Sequence, residues 1–336
     1  MTDIPLTTRE IHLAARPDGW PTPENFRLTD APIPELGADQ LLVANHCMSV
    51  DPYMRGRMND SDSYIGSFQI DEPLQGAAVG EVIASTSSEI AVGATVLHGL
   101  GWREHAVVDA SSAKVVDPTL ASESAYLGAL GMTGLTAYAG LTYAGKFKEG
   151  DVVFVSGAAG AVGSIVGQIA KASGASRVIG SAGSAEKVQR LTELGFDAAF
   201  NYHDAPVSEQ LHAAAPEGID VYFDNVGGDH LEAALTALNT HGRVAMCGAI
   251  SQYNATEPSC APRNLALAIG KLLTIRGFLV GEFSDKADEF AAKMAGWLSD
   301  GSVTFDETFR DGLENAPQAF IDLLRGANTG KMVVNL

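Results

Sequence analysis

Gly160 and Gly163 close the stretch 151–163, which reads D-V-V-F-V-S-G-A-A-G-A-V-G. Glycine at that spacing suits the holding of phosphate. Neither residue has a Cβ, so the backbone can approach a pyrophosphate and a following helix can sit close on its strand. The N–H groups at the start of such a helix face the anion, and the helix dipole favours negative charge there. Ala158 stands where the usual Gly-x-Gly-x-x-Gly spacing has its first glycine, so on these residues alone a nucleotide turn and an ordinary glycine-rich turn both remain open.

The stretch 178–187, V-I-G-S-A-G-S-A-E-K, lies where an NAD-selecting sheet presents Asp or Glu to the ribose 2′-hydroxyl, about 20 residues past the glycines. Small neutral residues occupy that tip instead. Ser184 and Lys187 can donate to a 2′-phosphate that a carboxylate would repel, which favours NADPH; the plain alternative is a helix cap and a solvated lysine. Tyr202 can lie over an adenine, bond the 2′-phosphate, or simply pack. Asn225, in D-N-V-G-G at 224–228, is placed to meet the nicotinamide ribose or the diphosphate. Cys247 reads as a small buried thiol at a strand end rather than a nucleophile. Thr133 reads as a cap at the start of a helix over 131–138, and Asp51-Pro52-Tyr53 as a polar turn after an apolar strand.

The elements that must position these residues follow from periodicity. Strands are predicted at 152–155, 177–181, 198–200, 219–223, 243–247 and 272–280, alternating with helices at 164–173, 185–194, 206–215 and 228–239. That rhythm means an α/β, doubly wound parallel sheet, whose ligands lie at the carboxyl ends of its strands. Residues 1–125 lack the alternation. Their short strands at 41–44, 77–79 with 82–83, 95–97 and 105–108 suggest a separate β-rich domain.

Composition narrows the function. With 41 acidic against 22 basic residues the formal charge is −19, a field that repels phosphodiester backbones, so no nucleic-acid partner is expected. Three cysteines without a Cys-x-x-Cys exclude a disulfide framework and fit a reduced, cytoplasmic setting. No signal-peptide core is read at the N-terminus, and Ser156, Ser164 and Gln168 argue against a membrane span over 152–170. The G-x-x-x-x-G-K outline at 140–146 precedes its strand and has Phe147 in place of the magnesium-binding Ser or Thr, so it is no ATP loop.

Taken together, SVDPYMRGRM at 49–58, GMTGLTAY at 131–138, AAGAVGS at 158–164, GSAEK at 183–187, NY at 201–202, DNVGG at 224–228, CGAISQYN at 247–254, GFLV at 277–280 and NTGK at 328–331 give the chain a clear likeness. It resembles the zinc-free medium-chain dehydrogenase/reductases: prostaglandin reductases, leukotriene B4 12-hydroxydehydrogenases and alkenal or curcumin double-bond reductases. The resemblance implies a Rossmann NADPH-binding domain over 126–301 and a GroES-like catalytic domain formed by 1–125 and 302–336, with the nucleotide cleft between them. It implies that Ala161, Val162, Gly163 and Ser164 sit by the pyrophosphate and that Lys187 and Tyr202 serve the 2′-phosphate. It further implies that Thr133, Asn225, Cys247, Gly248, Ala249, Ile250, Ser251, Tyr253, Phe278, Leu279, Val280 and Asn328 line the cofactor. A homodimer through the sheet-edge strand 272–280 is also implied. Zinc-containing relatives place ligands where this chain has Pro52-Tyr53 and Gln75-Gly76, so no metal is expected.

For such a chain the fitting reaction is conjugate reduction of an enone or enal, in which negative charge grows on the carbonyl oxygen. Tyr253 is the candidate hydrogen-bond donor to that oxygen, since a phenol of pKa about 10 keeps its proton at neutral pH. Tyr64 and Tyr53 are further candidates from the substrate side. A quinone reductase of the zeta-crystallin type and a non-catalytic NADPH-binding protein are the alternatives.

Overall fold

A computed structural model describes residues 5–336 and divides them into two units, one formed by residues up to 128 with 307–328 and 332–336, the other by 129–306 with 329–331.

The second unit is built on β1 (Val152–Val155), α1 (Ala161–Ala172), β2 (Arg177–Ala182), α2 (Ala185–Glu193), β3 (Ala198–Asn201), α3 (Val207–Ala214), β4 (Ile219–Asp224), α4 (Gly228–Ala237), β5 (Leu238–Met246) and β6 (Thr274–Gly277). All neighbours are parallel, in the spatial order β3-β2-β1-β4-β5-β6. This is the Rossmann order. The chain runs outward from β1 to β3 and then returns to lay β4 on the other side of β1, the switch in direction at which sheets of this kind bind their ligands.

Alternation along the strands explains why the sheet is covered on both faces. Val153, Val155, Val178 and Phe223 join Ile165, Val166 and Ile169 of α1 in one cluster. Phe154, Ile179 and Tyr222 join Leu211 of α3 and Leu231 and Leu235 of α4 in another. Each fully buried side chain of this size contributes about 1.5–3 kcal/mol, and slipping one strand by a residue would exchange its two faces. Two-sided burial therefore sets the register.

The first unit is β-rich and GroES-like. Its sheet runs Glu307–Asp311, Lys331–Asn335, Gln40–Ser49, Ala78–Ser85, Thr95–His98, Lys114–Val115, with His105–Asp109 also paired to Gln40–Ser49. Thr7–Leu13 and Phe26–Pro32 form a separate antiparallel ribbon.

Several boundaries differ from those predicted. The strand expected at 272–280 is confined to Thr274–Gly277, because Leu272 takes a left-handed φ of +53° and Val280 already opens a 3-10 turn. Helix α1 starts before 164, at Ala161, since Gly160 supplies the extended N-cap backbone. Helix α4 ends at Ala237, where β5 begins before 243 and bulges against β4. The pieces at 77–79 and 82–83 form one strand, Ala78–Ser85. Residues 302–306 pack with the second unit, so the chain passes between units at 306–307. Among the described residues no helix is long and apolar enough to cross a membrane.

Candidate functional site

The turn between β1 and α1 shows how the altered glycine spacing works. Gly157, one place before the missing fingerprint glycine, supplies the left-handed backbone, with φ +58°. Gly163 has no room for a side chain: a Cβ would come within 2.5 Å of the Gly157 carbonyl oxygen. Ala158 is fully buried and donates its N–H to the Ser181 carbonyl at 2.9 Å. Its methyl fits because β2 carries Gly180 beneath it. Ala161 and Val162 are half-buried in the first turn of α1, with Gly163 and Ser164 buried behind them; no acidic residue lies in that turn and no side chain caps it. Such an end leaves N–H groups for an anion.

At the tip of β2, Ser184 caps α2, its Oγ accepting the Lys187 N–H at 3.3 Å. A hydroxyl that accepts one bond still has its own proton to donate, so the capping role and a phosphate-binding role coexist. The Lys187 ammonium is half-buried, and burial pulls its pKa below the usual lysine range. Tyr202 overhangs Gly183, on which a Cβ would lie 2.7 Å from the phenol oxygen, and its ring meets His230 edge-on at 5.3 Å. Between Ser181 and Lys187 the sole carboxylate is Glu186, which is exposed. A cradle with no space for a Cβ at Gly163 and a half-buried lysine in the turn that a serine caps fit a 2′-phosphorylated dinucleotide.

The loops leaving β4 and β5 are laced together. Asp224 is fully buried, and its Oδ1 accepts from the Tyr222 hydroxyl at 2.6 Å and from the Val226 and Gly227 N–H groups at 2.9 and 2.8 Å. Burial pushes this carboxyl upward while the Tyr222 bond holds it down. Its main-chain carbonyl takes the N–H groups of Cys247 and Gly248. Asn225 is bound to β1, its Nδ2 donating to the Ser156 carbonyl at 2.8 Å and its N–H to Ser156 Oγ at 3.0 Å. Ile250 donates its N–H to the Asn225 carbonyl, and Ser251 Oγ donates to the Val226 carbonyl at 2.6 Å. The Tyr253 hydroxyl accepts the Ala249 N–H at 3.3 Å. Burial raises the Cys247 thiol to about 12, so it is no thiolate.

Other candidates fall elsewhere. Thr133 is buried in the helix Met132–Ala139, which is capped by Gly131, so its expected capping role is wrong. Phe278 is a core residue, its ring against Phe223 and Phe283; Leu279 is exposed and Val280 half-buried. Tyr53, Tyr64 and Asn328 belong to the first unit. Tyr53 precedes the helix Met54–Arg57 and has its phenol raised by burial, which the nearby Arg57 opposes. Tyr64 is 65% exposed and Asn328 is buried. The structure thus brings Gly163 against Gly157, Asn225 onto Ser156 and the loop from Cys247 to Ser251 onto residues 224–226, while Ser184 caps the turn that carries Lys187 and Tyr202 lies over Gly183.

Ser156, Asp224 and Tyr222 were missed by residue type. Asp224 sat inside a recognised motif, but the burial that makes it a loop anchor leaves no mark on the sequence. Among the described residues no group of three or more His, Cys, Asp or Glu is placed to hold a metal ion.

The family described as the N-terminal domain of oxidoreductase matches residues 9–116, and that described as zinc-binding dehydrogenase matches 161–299. The chain is 46% identical to the YfmJ protein of Bacillus subtilis, covering 98% of this chain and 97% of that one. It is 41% identical to the NADPH-dependent curcumin reductase of Escherichia coli, covering 96% and 95%. The crystal structure of CurA in complex with NADPH from Vibrio vulnificus superposes with a TM-score of 0.92 at 44% identity, covering 97% of this chain and 98% of that one.

Proposed function

The chain belongs to the zinc-free, NADP-dependent branch of the medium-chain dehydrogenase/reductase family, and from that premise we propose that it uses NADPH to reduce the carbon–carbon double bond of α,β-unsaturated ketones and aldehydes. As an NADP-dependent oxidoreductase it needs a pyrophosphate cradle, supplied by Gly157–Gly163, and a 2′-phosphate site, for which Ser184, Lys187 and Tyr202 have the chemistry. Bound NADPH supplies the hydride for the β-carbon. What remains for the protein is to orient the alkene and to meet the charge that grows on the carbonyl oxygen; the resulting enolate then takes a proton from water at its α-carbon, which completes the saturated product.

One observation carries the reading. The Tyr253 phenol oxygen receives the Ala249 N–H, which fixes the ring on the loop after β5, at the carboxyl end of the sheet. A hydroxyl can accept and donate at once, and a donor held in place in advance loses little reorganisation energy as the charge develops. Tyr53 and Tyr64 are proposed to line the substrate side, and Phe278, Leu279, Val280, Thr133 and Asn328 to border the cofactor.

The test is NADPH consumption with trans-2-alkenals, a 15-oxo-prostaglandin, curcumin and a quinone. Turnover of the enals or enones with product saturated at the double bond supports the proposal. Turnover of the quinone alone, or cofactor binding with no oxidation, refutes it. The same reading carries a homodimer along β6, the edge strand flanked by exposed Leu272 and Leu279, to be checked by light scattering.

A further inference from the structure

We infer that the segment 304–306, with Gly330 against it, is a spacer that sets the separation of the two phosphate cradles and thereby the preference for NADPH over NADH. The inference rests on the proposed assignment of Ser184 and Lys187 to the 2′-phosphate.

The segment touches both phosphate-binding helices. On α1, the buried Gln168 side chain donates through Nε2 to the Thr304 carbonyl at 2.9 Å and accepts the Thr304 N–H on Oε1 at 2.8 Å, while Nε2 also reaches the Ser164 carbonyl at 2.9 Å. A side-chain amide here pairs with backbone as a strand would. On α2, Arg190 grips Asp306 with a two-pronged bond, Nε to Oδ2 at 2.8 Å and Nη2 to Oδ1 at 3.0 Å. Its remaining prong, Nη1, holds Glu193 at 3.0 Å. Arg190 lies one helical turn from Lys187, so a fork that fixes Arg190 also fixes the rotation of α2 about its axis.

Asp306 is itself pinned to the pyrophosphate turn. Its carbonyl accepts the Lys331 N–H at 2.8 Å, and Gly330, with φ +64°, lies so close that a Cβ would be 1.9 Å from that oxygen. Gly330 donates its own N–H to the Ala159 carbonyl at 2.9 Å. From Arg190, one turn along α2 from Lys187, an unbroken path of bonds and contacts thus runs through Asp306 and Gly330 to Ala159. In the cofactor the pyrophosphate and the 2′-phosphate are a fixed number of bonds apart, so a rigid spacing between their cradles favours the ligand that fills both. NADH fills only one. Gln168 and Arg190 act through the spacer and are positioning residues.

The test is titration of the purified full-length protein with NADPH and with NADH, read by fluorescence, for the wild type, Arg190→Met, Arg190→Lys, Asp306→Asn, Gln168→Met, the charge-swapped Arg190→Asp/Asp306→Arg pair and Lys187→Ala. Arg190→Met and Asp306→Asn should each weaken NADPH about tenfold and leave NADH within about twofold, with the swap recovering most of the loss. Lysine keeps the charge but not the fork, so Arg190→Lys should fall between. Should Arg190→Met not fold, Asp306→Asn and Arg190→Lys decide. Equal loss of both cofactors, no loss, or tighter NADPH binding in Asp306→Asn would each overturn the spacer. If the wild type prefers NADPH, Lys187→Ala abolishes the preference and the spacer variants leave it intact, the inference fails while the 2′-phosphate assignment stands. A wild type indifferent to the two cofactors ends both.

Discussion

The methyl group of Ala158 rests on Gly180: a Cβ built on Gly180 would lie 2.9 Å from it. The pair spans the turn after β1 and the neighbouring strand β2, and it is the reason an alanine can stand in the first glycine position of the fingerprint. Leu191 and Phe196 crowd the same point, each with an atom 2.9 Å from that Cβ. Gly180→Ala is expected to destabilise the protein by about 1–3 kcal/mol through overpacking. Adding Ala158→Gly should recover only part of the loss, because Leu191 and Phe196 stay. Denaturant melts of the two single variants and the double variant measure this; full recovery would contradict it.

Tyr253→Phe removes the proposed donor and keeps the ring. Turnover of an enal should fall by about 10²-fold, the usual effect of deleting one oxyanion donor, with KM changed far less. Steady-state kinetics on several alkenals provide the check. Unaltered kcat would mean the carbonyl oxygen is met by another group.

Lys187→Ala should weaken NADPH by about 10–100-fold and leave NADH nearly untouched, since one charge-assisted contact to phosphate is lost. Raising salt should narrow the gap between wild type and variant by screening the wild-type contact. Calorimetric titration at two ionic strengths tests both statements.

His98 and His230 make the fold sensitive to acid. Burial pulls each imidazole down to about 4, helped at His98 by Arg103 and opposed at His230 by Asp229. His98 is locked neutral, receiving the Leu100 N–H on Nδ1 and facing Asn45 Oδ1 through Nε2, while His230 packs against Tyr202. Both pKa values lie below the unfolded value of about 6.5, so the unfolded chain takes up protons first. Their stabilising contribution is complete above pH 6.5 and is lost as pH falls toward 4, approaching about 3 kcal/mol for each. Asp151 and Asp224, raised by burial, act with the opposite sign, weakening the fold as pH climbs through the carboxylate range. The histidine share is therefore read by difference: His230→Phe should flatten the fall in melting temperature between pH 6.5 and 4. An unchanged slope would remove His230 from this account.

Much of the architecture was written in local pattern. The alternation of apolar runs and 3.6-residue periods located the six strands of the parallel sheet and the four helices between the first five, though not the helix Ala287–Asp300 that packs into the same core, and glycine at 160 and 163 with no acid in 181–185 pointed to a phosphorylated dinucleotide. These are properties of neighbouring residues, so they survive in one dimension. What the tertiary structure alone decided is the set of relations between residues far apart in the chain: Ala158 on Gly180, Asp224 anchoring the loops after β4 and β5, Arg190 on Asp306, and Gly330 on Ala159. They depend on which strand lies beside which and on what burial does to a carboxylate or an imidazole. Neither exists until the sheet has been assembled and water excluded from its faces.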